Sequence, residues 1–577
     1  MKKKLLPALI VTGLIILVVI IMGITALINK YTPTKKTEDL KEYFNISSDD
    51  EAALIVNNEL SDYKAKIIDK KIYVDYKFVH DSLNSRFYWD ANENVLLYTT
   101  ASDIISAAAD SNSYSVTKQT NDFGYPIVKA TSDSALIALD YVKQYSNITF
   151  KSYDDPARIV ITSKWNEIDS ATVSKPTQVR VKGGIKSPIL KEVKKDDKIT
   201  ILDSGDKWDK VATEDGVIGY IKRKALSESK KTKLTNPDYE EETFTHIKKD
   251  KDICLAWNQV TSQSANSKVP QVISSTKGIN VMSPTWFYLN DNNGNLADIA
   301  SKDYVSYCHS QGIEVWGLFS NLENTDVDAA YVLTHTSTRT TLINQIMSAA
   351  FNYELDGVNI DFENITEAAY GDSYIEFIRE LSIKCHNNGI SLSVDVTVPA
   401  SFNKFFNRSD MAKFADYIVI MGYDEHYKGS DAGSVSSIPW VTEGVESTLK
   451  EVPADQIILG MPFYTRIWEL TPKEDDDAVT DTEDQSKYTV ASQVYSMDAA
   501  AAQLATNNAT AALDEKSGQN YAEWSASNKL YKVWLEDSTS LEKRLKLVDD
   551  NKLAGAAFWK LGFENSSVWD TVIKYLD

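Results

Sequence analysis

From residue 248 onward, short apolar runs recur at regular spacing, and this rhythm limits the fold more than any other feature of the chain. The runs are 253–257, 278–282, 315–319, 358–362, 392–396, 417–421, 457–461 and 556–559. Stretches of helical periodicity, such as 374–387 and 540–551, separate them. Strands that alternate with helices pair in parallel through crossover connections. Eight such repeats in 330 residues predict an α/β fold, a (β/α)8 barrel. In that fold the chemistry sits at the carboxyl ends of the strands, so polar side chains there are the candidates.

The fourth run reads Asp356-Gly357-Val358-Asn359-Ile360-Asp361-Phe362-Glu363. Side chains two apart share one face of a strand, so Asn359, Asp361 and Glu363 form an inward ladder while Val358, Ile360 and Phe362 face the helices. Two carboxylates one pleat apart do not both ionise cheaply, and such a pair yields a general acid. The alternative is a buried polar ladder held by hydrogen bonds.

These residues resemble the Asp-x-x-Asp-x-Asp-x-Glu signature of glycoside hydrolase family 18, the chitinase-like family, and the resemblance extends over 248–577. Met421-x-Tyr423-Asp424-x-His426 is similar to the family's sixth-strand segment. Gly460-Met461-Pro462-Phe463-Tyr464-x-Arg466-x-Trp468 is similar to its seventh, and Gly555-Ala556-Ala557-Phe558-Trp559 to its eighth. One position departs: the family's middle aspartate is Asn359, which can hydrogen-bond Asp361 but cannot share a proton with it. This variant resembles bacterial spore-cortex and peptidoglycan-directed members more than chitinases.

The resemblance implies retaining hydrolysis without an enzyme nucleophile, in which the substrate's own 2-acetamido group attacks C1. Glu363 is then the acid and base, Asp361 orients the acetamido group and stabilises the oxazolinium ion, and Tyr423 hydrogen-bonds the acetamido oxygen. Asn359, Asp356, Asp424 and Met421 support them. Trp559 floors the cleft, and Tyr464, Arg466, Trp468 and Trp286 are further substrate-binding candidates. Trp257, Tyr288 and Trp440 could line sugar subsites, with core packing as the alternative for each, and Glu425 could tune the acid. No cofactor or metal is implied. The acidic run 474–484 lacks the alternating spacing of a calcium loop and reads as a solvated loop. The segment 470–539 is an insertion before the eighth strand that could wall the cleft.

The N-terminal half reads differently. Residues 1–4 hold three lysines, and 5–28 are 24 positions without a charge. A helix of that length rises about 36 Å, enough for a hydrocarbon core of about 30 Å. The run is too long for a signal peptide and lacks a small-x-small cleavage site, so it predicts an uncleaved single-pass membrane anchor with a cytoplasmic N-terminus. Residues 29–50 read as a tether. Residues 51–165 carry a weak duplication, each copy reading strand, helix, strand, turn, strand, with one opening at 72–74 and the other at 125–128 followed by a helix over 134–145. This resembles the stalk-like domain related to the N-terminal domain of copper amine oxidases. Residues 175–226, with Trp208-Asp209-Lys210-Val211 and Gly219-Tyr220-Ile221, resemble a bacterial SH3 domain, and 227–247 read as a linker. Between Arg180 and Lys224 there are 12 basic and 8 acidic residues, which suits docking on an anionic wall polymer as well as a solvated face.

The formal charge of −21 is not spread evenly. Residues 1–247 hold 35 basic and 35 acidic residues, whereas 248–577 hold 26 and 47, so the excess belongs to the barrel. An acidic barrel excludes a nucleic-acid binder. Three widely spaced cysteines, Cys254, Cys308 and Cys385, form no disulfide framework and read as buried thiols. Three functions follow: an extracellular, membrane-anchored hydrolase of N-acetylglucosaminyl bonds in peptidoglycan; a chitinase; or a non-catalytic glycan-binding barrel. The retained Glu363 disfavours the last.

Overall fold

The computed structural model describes residues 5–363, 365, 370–473 and 485–576. The chain divides into two compact units. One comprises Met1–Phe87, Ala107–Tyr114 and Asp122–Glu241; the other comprises Tyr88–Ser106, Ser115–Asn121 and Glu242–Asp577. Residues 1–4 and the acidic run 474–484 lie outside the described residues.

In the first unit, an apolar helix spans Leu5–Tyr31, three residues beyond the uncharged run. Within Pro7–Tyr31 its most apolar 18 residues have a mean hydropathy of 2.9 and none of them is buried, so the helix is long and apolar enough to cross a membrane. The expected tether is only partly one. Leu40–Tyr43 form a helical turn capped by Asp39, Phe44 is buried, and Tyr43 Oη donates to Ile218 O at 2.6 Å. An adjacent aromatic pair therefore anchors a segment whose charges suggested free chain.

Two seven-stranded sheets follow. The first orders its strands Thr149–Tyr153, Arg158–Thr162, Glu51–Val56, Glu59–Ile68, Lys71–Asp75, Ala135–Ala138 and Val128–Ala130. The duplication is visible as Lys71–Asp75 running into the helix Tyr76–Ser82, and Ala135–Ala138 running into Leu139–Gln144. The second copy opens ten residues later than 125–128 and its helix is shorter than 134–145. Ala135 and Ile137 bury alternate positions between two strand partners, which a helix cannot do. The second sheet extends past 175–226: Glu167–Thr172 and Lys230–Lys233 add at one edge, so part of the expected linker is strand. Its lysine-rich edge strand suits a rim that must not pair further.

In the second unit, eight parallel strands close on themselves: β1 (Ile253–Asn258), β2 (Val281–Leu289), β3 (Glu314–Ser320), β4 (Gly357–Asp361), β5 (Ser391–Thr397), β6 (Tyr417–Met421), β7 (Ile457–Pro462) and β8 (Gly555–Trp559). β1 pairs with both β2 and β8, which closes the barrel. Alternation sorts the side chains. Val358, Ile360 and Phe362 pack outward with the helices, and Leu255, Trp316, Leu318, Val419 and Ile458 fill the interior. At the base, a Cβ on Gly357 would sit 2.5 Å from the Trp316 ring, so only glycine admits that indole. All three cysteines are free and buried.

After β7 the chain leaves the barrel at once. Tyr464–Pro472, Tyr488–Ser496, Lys529–Leu535, Gln519–Ala526 and Ala512–Asp514 make a five-stranded antiparallel sheet, with the helix Met497–Thr506 beside it. The insertion thus begins at Tyr464 rather than near 470.

The helices α1 (Thr336–Tyr353) and α2 (Gly371–His386) flank β4. Barrel helices normally show a polar face to water, yet thirteen of the sixteen residues of α2 are buried, with Glu376, Arg379 and Glu380 among them. The cover is the hairpin segment Tyr88–Ser106. Thr99 Oγ1 donates to Glu376 at 2.8 Å, and Tyr88 Oη meets Ser373 Oγ at 2.9 Å. Asp90 accepts Thr336 N and Oγ1 at 2.7 and 2.6 Å, capping α1. Arg339 pairs with Glu380 at 2.9 Å beneath the Tyr88 ring. Hydrogen bonds to a charged acceptor are each worth about 1.5–3 kcal/mol. Asp90→Ala is therefore expected to destabilise the second unit by about 2–4 kcal/mol, read as a lower urea midpoint at unchanged slope. An unchanged midpoint would show that the hairpin contributes nothing to barrel stability.

Candidate active site

At the carboxyl end of β4 the backbone leaves the barrel with Asp361 almost fully buried and Glu363 open to the cleft. One turn below them sits Asn359, wholly buried. Trp257 Nε1 of β1 and Ser283 Oγ of β2 donate to its Oδ1 at 2.9 and 3.0 Å. Its Nδ2 donates to Asp395 Oδ1 of β5 at 2.7 Å. An indole N–H only donates, which fixes the amide orientation. Asn359 therefore bonds Asp395, not Asp361 as expected from the strand alone.

The floor is strongly acidic. Burial, Asp395, Glu363 and Glu323 together push the Asp361 carboxyl well above the usual carboxylate range. Its Oδ1 has no hydrogen-bond partner among the described residues. Burial, then Asp424 and Glu323, raise Glu363. Ser320 Oγ donates to Glu323, and Asn321 Oδ1 accepts the Glu363 backbone N–H at 3.0 Å. Groups that hold protons more tightly folded than unfolded favour folding most below about pH 4, the ordinary carboxylate range. That contribution is lost as pH rises toward their folded values.

Around this floor stand the aromatic groups. Tyr423, just past β6, meets Trp257 and Tyr464 edge-on at 6.4 and 6.2 Å. Burial and the three carboxylates Asp361, Asp395 and Glu363 raise its hydroxyl, so it stays a donor. Trp559, half-buried at the end of β8, packs edge-on against Trp257 at 6.0 Å. Asp424 is exposed with φ of 61°. It accepts Tyr464 Oη at 2.5 Å and faces Arg466 at 3.8 Å. Met421 is buried beneath them.

Comparison with known proteins bears directly on this arrangement. Residues 319–564 match the family model described as Glycosyl hydrolases family 18. Within the barrel, this segment resembles that family. Among curated relatives, the "Uncharacterized glycosylase YvbX" of Bacillus subtilis (strain 168) is 24% identical over 301 residues, covering 49% of this chain and 81% of that protein. The "Cortical fragment-lytic enzyme" of the same organism is 25% identical over 287 residues, covering 48% of this chain and 63% of that protein. Among solved structures, the C-terminal domain of a chitinase candidate from Desulfitobacterium hafniense DCB-2 aligns with TM-score 0.50 at 19% identity. That alignment covers 57% of this chain and all of that domain, a likeness of fold. The matched segment carries the whole β4 ladder, and these likenesses support a glycosidase.

The structure brings Asn359, Asp361, Glu363, Tyr423, Asp424, Met421, Trp559, Tyr464 and Arg466 to the carboxyl face. It does not bring the others there. Asp356 lies at the opposite end of β4, where it accepts His309 Nε2 and Val315 N at 2.8 Å each. Trp286 is fully buried with Nε1 on Asn266 at 2.8 Å. Trp468 is fully buried in the insertion sheet with Nε1 on Gly433 O. Neither offers a ring face to a sugar. Tyr464, Arg466 and Trp468 belong to the first insertion strand, not to β7. Trp440 packs on the helix Ile438–Thr448 against the outer core. Glu425 accepts Ser437 N and Oγ at the start of that helix, away from the acid. Tyr288, half-buried, ends in the antiparallel pairing of β2 with Leu296–Asp298.

Asp395 and Glu323 escaped the sequence reading. Asp395 had a signal: Ser391, Ser393 and Asp395 alternate polar on an otherwise apolar strand. Glu323 follows β3 in a loop and had none. Asp424→Asn removes a negative charge that helps hold the proton on Glu363. The Glu363 titration is expected to fall by about one pH unit, read by carboxyl 13C NMR. An unmoved midpoint would remove Asp424 from the site's electrostatics.

Proposed function

We propose that this protein is a membrane-anchored, extracellular glycosidase that cleaves β-1,4 bonds of N-acetylglucosaminyl residues in peptidoglycan. The carrying observation is the pairing of a water-open Glu363 with a buried, proton-retaining Asp361 at the end of β4. A carboxyl group with raised proton affinity is suited to protonate a leaving glycosidic oxygen near neutral pH. Glu363 is that acid, and afterwards the base that activates water. Asp361, two residues before Glu363 on the same face of the strand, receives the N–H of the 2-acetamido group. That contact aims the acetamido oxygen at C1, and the carboxylate then balances the charge of the oxazolinium ion. Tyr423 donates to the same acetamido oxygen, and Trp559 offers the apolar face of a sugar a rigid ring at small entropic cost. Trp257, below both, holds them in place.

Peptidoglycan is favoured over chitin by the cortex-lytic relative and by the apolar helix Leu5–Tyr31, which suits an anchor that holds the enzyme at the cell surface. In this reading the sheet containing 175–226 is an SH3-like module whose surplus of basic residues docks on anionic wall polymer. The acidic barrel is repelled from such polymer, so stacking and acetamido recognition supply the affinity of the cleft itself.

Glu363→Gln is expected to lower turnover by about 10²–10⁴-fold with folding intact. Purified peptidoglycan and chitin oligomers, assayed side by side with the new reducing end identified, test the substrate. Release of N-acetylglucosamine reducing ends from peptidoglycan supports the reading, and faster cleavage of chitin overturns it. Activity of the second unit is expected to vary little with salt, because the cleft does not attract its substrate by charge. A steep loss as added salt shortens the Debye length below about 10 Å would contradict this.

A further inference from the structure

The register of β4 and β5 places a carboxylate beside Asp361 from the neighbouring strand. Asn359 pairs with Ser393 and Ile360 with Val394, so the next step sets Asp361 beside Asp395. Neighbouring strands lie about 4.8 Å apart. Asp395 is 3% exposed and accepts the Asn359 amide, whose orientation Trp257 imposes. Asp361 Oδ1, also buried, has no donor among the described residues. The two carboxylates are thus inequivalent: one is pinned by an N–H, and the other is not.

We propose that Asp395 is a positioning residue for the reaction, whose pinned carboxylate carries the negative charge of the pair and leaves the proton on Asp361 while the cleft is empty. A hydrogen bond from an amide favours the ionised form of its acceptor, and a like charge one strand away disfavours ionisation of the neighbour. Burial raises both groups, the Asn359 bond counters this for Asp395 alone, and Asp395 heads the charges that raise Asp361. The groups facing the pair are Asn359, Glu363, Glu323, Tyr423 and Tyr374 of α2, none of them a cation. A neutral Asp361 spares the empty site a second buried negative charge. It becomes an anion only when an acetamido N–H arrives to receive, its proton passing to water or to Asp395. The ionised Asp361 thus appears together with the substrate group it orients.

Infrared difference spectroscopy tests this without turnover. A protonated-carboxyl stretch is expected at neutral pH in the full chain, absent from Asp361→Asn. Asp395→Asn keeps the size of the side chain and is expected to lower the midpoint of that band by about one to three pH units. Asp395→Glu, which retains the charge, is expected to hold it near the wild-type value. The kinetic arm rests on the role of Asp361 proposed above: the acid limb of kcat/KM moves down with the band in Asp395→Asn. A band that moves without the limb sinks that role and leaves the charge assignment standing. A band unmoved in a folded Asp395→Asn overturns the inference. So does absence of any Asp361 band in the wild-type protein, which decides the matter even where Asp395→Asn fails to fold.

Discussion

One buried amide ties the cleft together. Asn359 accepts from Trp257 on β1 and Ser283 on β2 and donates to Asp395 on β5, so a single side chain links four of the eight strands just below Asp361 and Glu363. All of its partners are inside the barrel, where a missing hydrogen bond costs the full desolvation of the group. The height and rotation of Asp361 and Glu363, two and four residues further along, follow from where this amide is held. Trp257 also carries Trp559 and Tyr423 on its edges, so the aromatic wall and the acidic floor share one support.

Below that level the interior is apolar, and above it Asp361, Glu363 and Asp395 gather with no ion-pair partner among the described residues. Isolated buried charge is expensive, and the relief is protonation. This is why burial leads the causes for Asp361 and Asp395. Elsewhere in the same barrel the opposite solution is used. Glu376 and Asp410 share Arg379, and Glu536 pairs with Arg544, which keeps charge in place where structure and not chemistry needs it. Removing one partner of such a pair costs about 3–5 kcal/mol, whereas the acidic floor is built to change its protonation.

The hairpin segment Tyr88–Ser106 bears on this contrast. It covers the outer face of α2, the helix that follows β4, and its Thr99 and Asp90 complete polar groups on α2 and α1. Read as sequence, Phe87-Tyr88-Trp89-Asp90 falls inside the duplicated, stalk-like region 51–165. Nothing local distinguishes it from the equivalent strand Thr149–Tyr153, which joins a sheet of the first unit instead. The charged residues Glu376, Arg379 and Glu380 on a barrel helix look like a solvated face until their burial is seen.

The amino-acid sequence by itself determined the barrel, its eight strands and the inward ladder of β4. These rest on periods of two and 3.6, which are properties of local backbone geometry. It also placed Glu363 as the outermost, exposed carboxyl group of that ladder, because alternation is legible along one strand. The ends and neighbours were decided only by tertiary structure. Asp356 went to the far face, Trp286 and Trp468 went into cores, and Tyr464 opened a new sheet, since a ring near a strand end points inward or outward according to what packs on it. Asp395 came beside Asp361 because barrel closure sets the register between β4 and β5. That register depends on all eight strands at once, and no single strand encodes it.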